Sequence, residues 1–189
     1  MENLTNQFNN YMKDRIAPEN LPKEGKILLL CCNEKEIGQR IQNVFEKMGF
    51  HVFVLENFTK KQICVAFDFM IYLPKTWKIV VYFYADTLNE ADQTWIKMTN
   101  YQPSKLISTT YGIHSLKCLA DSVSVKDIVF YIDTDIHEIE SYMECILYKN
   151  PKTPPKIYMN KKGQLLQCIE KLQDYRIDSL VPLGVKTLL

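Results

Sequence analysis

Long apolar runs are absent from this sequence, and their absence excludes a helix that crosses a membrane. The continuous apolar stretches have the length of a β-strand, whereas a membrane-spanning helix needs about 20 apolar residues. Residues 1–25 are largely polar and contain no apolar core of a secretory signal. We therefore expect an intracellular protein that resides in the cytoplasm and has no membrane partner.

An excess of charge of one sign is also missing. The chain has 23 basic and 22 acidic residues, which gives a formal net charge of +1. Proteins that bind nucleic acids usually carry a basic excess or a clustered basic stripe, because the phosphate backbone dominates their affinity. We therefore expect no nucleic-acid partner.

The sequence contains none of the short patterns that hold phosphates, zinc or paired disulfides. Its six glycines are dispersed, and no glycine-rich phosphate-binding loop occurs. No Cys-x-x-Cys pair and no Cys/His cluster at zinc spacing is present. We expect no cofactor and six reduced, buried thiols, which belong to Cys31, Cys32, Cys64, Cys118, Cys145 and Cys168.

The composition is that of an ordinary globular domain. The 189 residues are 47% hydrophobic and 24% charged, enough to bury a sizeable core. We divide the chain into a polar N-terminal arm at residues 1–25, an α/β domain at 26–175 and a tail at 176–189.

Strand and helix patterns alternate in the first half of the proposed domain. Continuous apolar runs predict strands buried on both faces, and apolar residues at helical spacing follow each run. Such a β-α-β-α-β order predicts a parallel sheet with right-handed crossovers. The predicted elements are a strand at 26–32, a helix at 35–48, a strand at 50–55, a helix capped by Asn57 or Thr59, and a strand at 77–85.

The second half continues the same alternation after an irregular stretch. Two short apolar pieces at 95–98 and 106–107 predict a small hairpin. The complete pattern predicts a three-layer αβα sandwich with a mostly parallel sheet, in strand order 2-1-3-4 with a later strand added at the edge. The remaining predicted elements are a helix at 111–119, a strand at 128–132, a helix at 136–147, a strand at 156–159 and a helix at 165–172.

Three segments resemble parts of the caspase and paracaspase clan of cysteine peptidases. Residues 37–59 resemble the first helix of that family, the strand after it and an Asn-x-Thr turn. Residues 81–85 are similar to the strand that precedes the family's catalytic histidine, and 113–133 resemble a helix that leads to a strand ending in Asp. The resemblance covers residues 23–172 and implies a caspase-like fold.

The sequence departs from the family at the residues that would catalyse. In active members of the family, the strand similar to 81–85 ends in a Gly-His-Gly turn, which supplies the base. The strand similar to the one at the end of 113–133 ends in an Asp-x-Cys turn, which supplies the nucleophile. Here Thr87 occupies the histidine position, between Asp86 and Leu88, and Asp135 occupies the cysteine position. Threonine does not titrate near neutral pH, and aspartate is a poor nucleophile whose charge repels an oxyanion. The resemblance therefore implies a homologue without peptidase activity.

The function that this resemblance implies is regulation through protein–protein association. Active members of the clan dimerise or are activated by partners. The expected partner is therefore a caspase-like protease or a second copy of this chain, within a cell-death or immune signalling assembly. In the family an edge strand of the last segment mediates dimerisation, and the matching region here follows Pro155.

Three alternatives remain open at the level of sequence. Cys32 and His137 could form a replacement catalytic pair, because Cys32 lies at the carboxyl end of the first strand. Asp133, Asp135 and His137 could instead hold a metal ion in a phosphate- or nucleotide-handling enzyme. The third alternative is an unrelated flavodoxin-like or Toll/interleukin-receptor-like domain that serves signalling interactions.

Overall fold

A computed structural model of the protein describes residues 3–90, 93–125, 127–135 and 156–172. Helices and strands alternate through most of these residues, as the sequence pattern predicts. The elements are, in chain order, α1 (Leu4–Asp14), β1 (Lys26–Cys32), α2 (Lys35–Lys47), β2 (His51–Leu55), α3 (Lys60–Met70), β3 (Lys78–Tyr84), β4 (Thr87–Glu90), β5 (Gln93–Lys97), a 3₁₀ turn (Pro103–Lys105), α4 (Leu106–Thr109), β6 (Thr110–Gly112), α5 (Ile113–Asp121), β7 (Asp127–Thr134), β8 (Lys156–Lys161) and α6 (Gln164–Leu172).

A five-stranded parallel sheet forms the centre of the molecule. Its strand order is β2-β1-β3-β7-β8, and each neighbouring pair runs parallel. This confirms the predicted order, in which the first strand lies between the second and third and the last strand is added at the edge. A separate antiparallel sheet contains β4, β5 and β6.

Helices cover both faces of the parallel sheet, so the architecture is the predicted three-layer sandwich. Successive side chains of a strand point to opposite faces, which divides the core into two apolar clusters. Leu29 and Cys31 of β1 belong to the cluster that α1, α3 and α5 cover. Leu28 and Leu30 belong to the cluster that α2 and α6 cover.

Local signals explain where two of these helices begin or end. Thr59 caps α3, because its hydroxyl accepts a hydrogen bond from the Gln62 backbone N–H while the Gln62 side chain accepts one from the Thr59 backbone N–H. Of the two predicted caps, Thr59 is therefore the correct one. Gly49 follows α2 with φ of 81°, a left-handed conformation that favours glycine.

The N-terminal segment contains a helix that the sequence analysis did not predict. Leu4, Phe8 and Tyr11 lie on one side of α1 and are buried. The Phe8 ring stacks on Phe53 of β2, with ring centroids 4.0 Å apart, and meets the edge of Phe69 of α3. At least the first part of the polar arm at residues 1–25 is thus packed against the domain.

The stretch between β3 and α5 differs from the prediction. The hairpin is formed by β4 and β5, whereas the segment predicted as its second piece is helical and belongs to α4. The hydroxyls of Thr109 and Thr110 donate to the carbonyls of Lys105 and Leu106, which stabilises this short turn. Tyr111, predicted to begin a helix, lies on β6 and pairs with β5.

Two predicted segments lie outside the described residues, namely the helix at 136–147 and the tail at 176–189. Within the ranges that the structure covers, no helix has both the length and the apolar character that a bilayer crossing requires.

Candidate functional site

The carboxyl ends of the parallel strands meet at one edge of the sheet, where ligand sites of α/β proteins usually form. The register places Cys32 of β1, Tyr84 of β3, Asp133 of β7 and Asn160 of β8 side by side. Polar residues that follow these strands therefore lie close together. We call this region the strand-end edge.

Lys162 is the central charged residue of the strand-end edge. Its ammonium nitrogen lies 2.8 Å from Asp86 Oδ1, 3.2 Å from Asp135 Oδ2 and 3.8 Å from Glu34 Oε1. The same nitrogen lies over the Tyr84 ring, 5.2 Å from its centroid. Lys162 thus connects residues that follow β1, β3, β7 and β8, and we call these four charged side chains the Lys162 cluster.

The interactions in the Lys162 cluster keep Asp86 and Lys162 ionised. The hydrogen bond from Lys162 lowers the pKa of the Asp86 carboxyl below its ordinary value. Burial alone would lower the pKa of Lys162, but its hydrogen bonds to Asp86 and Asp135 outweigh burial and raise that pKa. A carboxylate with a lowered pKa is a poor general base near neutral pH. These two groups therefore form ion pairs and are not poised for proton transfer.

Thr87 and Asp135, the predicted positions of the family's base and nucleophile, both lie at this edge. The Thr87 hydroxyl is 3.0 Å from the Thr134 hydroxyl, and Asp135 is the next residue. Asp135 does not contact the Thr87 side chain through this bond; it shares the Lys162 ammonium with Asp86, the neighbour of Thr87, and with Glu34. Lys162 was not among the predicted site residues, although its position directly after β8 places it at the same edge.

Asp133 is enclosed beneath the strand-end edge and is fully buried. Its Oδ2 atom accepts hydrogen bonds from the Tyr82 hydroxyl at 2.7 Å and from the Gly163 backbone N–H at 3.1 Å. Its Oδ1 atom has no hydrogen-bond partner among the described residues. Burial raises the pKa of Asp133 to about 6, although the Tyr82 hydroxyl, the Gly163 and Leu165 backbone N–H groups and the Asn160 side chain act in the opposite direction.

The alternative metal site is not assembled by the residues that the structure covers. Asp133 is buried against Tyr82, whereas Asp135 is exposed and pairs with Lys162. No group of three or more metal-binding side chains comes together within the described ranges. His137, the third residue of that alternative, lies outside them.

Cys32 has the environment of a structural thiol. It is buried and donates a hydrogen bond to the Glu34 carbonyl at 3.4 Å. Burial raises the pKa of the thiol, so the protonated form predominates at neutral pH and its nucleophilicity is low. The proposed partner, His137, is not among the described residues.

The cysteines differ in burial more than the sequence predicts. Cys31 is buried like Cys32, but Cys64 is half-buried and Cys118 is exposed. The prediction of a buried thiol is therefore wrong for Cys118. All four of these cysteines are free.

Comparisons with known proteins identify the fold. No protein-family model and no curated protein matches the sequence. Among solved structures, the chain is similar to one titled as the structure of pro-Sf-caspase-1, with a TM-score of 0.52 and 13% sequence identity. The similarity covers 86% of this chain and 77% of that chain. At this identity the likeness concerns the fold alone, and it agrees with the observed sheet order: the chain has a caspase-like α/β fold.

Proposed function

We propose that this protein is a non-catalytic caspase-like protein that acts through protein–protein association. In this proposal it regulates a protease or a cell-death or immune signalling assembly. The observation that carries the proposal is the Lys162 cluster: Asp86 and Asp135 share a lysine at the strand-end edge, where an active relative would present an imidazole and a thiol.

The chemistry of the strand-end edge supports the absence of peptidase activity. A cysteine peptidase needs a thiolate, a base that takes its proton and donors that stabilise an oxyanion. Among the described residues, the thiol at this edge belongs to Cys32, whose burial raises its pKa and keeps it protonated. The carboxylates of Asp86 and Asp135 would repel a developing oxyanion, and Lys162 is already engaged by both.

The position of β8 supports a role in association. Among the strands that the structure describes, β8 pairs only with β7 and ends the sheet order. The family resemblance implies dimerisation through a strand of this segment, and an unpaired sheet edge is suited to strand addition. The free thiols of Cys31, Cys32, Cys64 and Cys118 are consistent with a reducing compartment such as the cytoplasm, which we include in the proposal.

A peptidase assay tests the catalytic half of the proposal. The purified chain should release no fluorophore from peptides that end in Arg, Lys or Asp, and thiol-directed peptidase inhibitors should not label it. Hydrolysis that disappears in Cys32→Ala would contradict the proposal. A rise in melting temperature with magnesium or manganese that Asp135→Ala abolishes would instead indicate a metal-dependent enzyme.

A proline substitution in β8 tests the association half. The Lys162 N–H donates to Thr134 of β7, and N–H groups alternate in direction along a parallel strand, so the Lys161 N–H points away from β7. Lys161→Pro should therefore remove an outward donor without breaking the β7–β8 pairing.

The expected result is loss of homodimer, or of a captured caspase-like protease, in Lys161→Pro. Lys161→Ala, which keeps the N–H, should retain the homodimer or the captured protease. Size-exclusion chromatography with light scattering measures the homodimer, and affinity capture from the native cell measures the heterologous partner. Equal association of both variants would show that β8 is not the surface used.

A further inference from the structure

Helix α1 packs on the domain through an apolar stripe. Its buried residues are Leu4, Phe8 and Tyr11, which recur at helical spacing. The Phe8 ring lies 4.0 Å from the Phe53 ring of β2 and meets the edge of the Phe69 ring of α3. We call the surface of β2 and α3 that this stripe covers the α1-binding surface. Without a helix it would expose Phe53 and Phe69, which are fully buried, so it requires an apolar helix of this pattern.

A short segment joins α1 to the part of the chain that is fixed against β3. The Trp77 indole N–H donates to the Pro22 carbonyl at 2.9 Å, which holds the chain at that point. The segment that can change direction is therefore 15–21, which we call the hinge. Within the hinge the Glu19 N–H donates to Gln7 Oε1 at 2.9 Å, so the chain folds back along α1.

The folded-back hinge contains two non-glycine residues in the left-handed conformation. The φ angles are 59° at Arg15 and 54° at Asn20. This conformation costs more for a residue with a Cβ atom than for glycine, although asparagine tolerates it better than arginine does. In addition, Pro18 and Pro22 favour extended backbone at the residue that precedes each of them. Extension of the hinge therefore relieves Arg15 and suits both prolines, but it carries α1 away from its own binding surface.

Apolar side chains are exposed beside the hinge. Ile16, Ile71 and Tyr72, which we call the hinge patch, are three of the four large apolar residues that are exposed in the described part of the chain. The Tyr72 ring lies 5.8 Å from the Tyr11 ring, and the Arg15 guanidinium lies 5.5 Å from the centre of the same Tyr11 ring. Neighbouring exposed apolar groups indicate a site of association. A partner that brings apolar surface to the hinge would cover this patch.

We propose that two copies of this chain exchange α1, so that each α1 occupies the α1-binding surface of the other copy. The chains are identical, so the stripe of one copy fits the other copy's surface as well as its own, and the exchange generates a closed two-fold dimer. Both hinges then extend and cross near the two-fold axis, where the two hinge patches meet. This dimer does not involve β8, and it therefore goes beyond the association proposed above.

Isotope-filtered NMR of the intact chain tests the exchange directly. Carbon-13-labelled and unlabelled chains are unfolded together in urea, refolded at high concentration and separated by size-exclusion chromatography. The dimer should show a nuclear Overhauser effect between Phe8 of a labelled chain and Phe53 of an unlabelled chain, because these rings are 4.0 Å apart, and the monomer should not. The signal should persist in Lys161→Pro, which separates this dimer from one formed through β8. Absence of a dimer, or a dimer without this signal, would overturn the proposal.

A glycine at position 15 tests the role of the hinge. Glycine adopts the left-handed conformation at little cost, so Arg15→Gly should favour the closed monomer. Its dimer dissociation constant should rise by roughly a hundredfold, since each of the two hinges contributes about tenfold. Arg15→Ala is the matched control: it also removes the guanidinium but keeps the Cβ atom, so it should dimerise as the wild type does. Sedimentation equilibrium measures the constants, and equal values for the two variants would contradict the exchange.

The hinge patch is tested by Ile71→Ser, with Ile107→Ser as the control. Ile107 is also exposed but lies on α4, where its carbonyl accepts a hydrogen bond from Lys60 at the opposite end of α3. Ile71→Ser should raise the dimer dissociation constant by about tenfold, because each copy loses apolar surface that the dimer buries. Ile107→Ser should leave the constant unchanged. Equal effects of the two substitutions would contradict the proposed dimer, because its interface would then not lie at the hinge.

Discussion

Trp77 and Gly25 make the closest approach recorded at any glycine of the described chain. A Cβ atom at Gly25 would lie 2.6 Å from the Trp77 ring, well inside van der Waals contact. The Trp77 indole N–H donates to the Pro22 carbonyl at 2.9 Å, and the Lys78 N–H donates to the Gly25 carbonyl at 2.9 Å. The buried ring thus fixes the segment that precedes β1 against the start of β3.

Substitution of Gly25 by alanine should destabilise the fold by about 1–3 kcal/mol, the usual cost of forcing an extra carbon into a packed site. Gly38 of α2 is a matched control, because a Cβ atom there would lie 3.7 Å from Cys32 Sγ, an ordinary contact. Gly38→Ala should stabilise by roughly 0.5–1 kcal/mol, since alanine favours a helix interior. Urea denaturation measures both changes. Stabilisation by Gly25→Ala would show that the Trp77 ring moves aside without cost.

At the scale of elements, the Lys162 cluster joins the ends of four strands of the sheet. Lys162→Met should lower stability by about 1 kcal/mol, because Asp86 and Asp135 are exposed and solvent screens their attraction to the lysine. Lys161→Met is the matched control: this residue is exposed, so its change should stay within about 0.5 kcal/mol. Urea denaturation at low salt measures the difference between the two variants.

High salt and low pH should both remove the difference in stability between Lys162→Met and Lys161→Met. In 1 M NaCl the Debye length falls to about 3 Å, which weakens exposed ion pairs. The pKa of Asp86 is lowered, so its contribution is present above the ordinary aspartate value and is lost as pH falls through the lowered pKa. A difference that persists in 1 M NaCl would indicate that the lysine stem, and not its charge, stabilises the edge.

The parallel sheet and its order were predictable because their signal is local. Continuous apolar runs such as 26–32 identify strands buried on both faces, and the order of elements then limits the topology. Helix α1 was missed because its three buried apolar residues become informative only when Phe8 meets Phe53 and Phe69. The location of the candidate site at the strand-end edge was predictable, but its central residue was not. Lys162 acquires its role through contacts with residues that are distant in sequence.

At the scale of the whole molecule, the two sheets differ in how they are covered. The central strands β1, β3 and β7 have a neighbour on each side in the sheet order and apolar clusters on both faces. In the β4–β5–β6 sheet, β4 and β5 contain several exposed or half-buried residues. Local opening requires less apolar exposure in the smaller sheet, so the two sheets should differ in local stability.

Amide hydrogen exchange under native conditions should therefore proceed in two steps. Peptides from β4 and β5 should exchange first, at a free energy below that of global unfolding, whereas β1 and β3 should exchange only with global unfolding. Increasing sub-denaturing urea distinguishes local from global opening. Global opening exposes more surface, so exchange through it depends more steeply on denaturant. Mass spectrometry of peptic fragments measures both dependences. Equal protection and equal urea dependence in the two sheets would mean that they unfold as one unit, and that the smaller sheet belongs to the same cooperative core as β1 and β3.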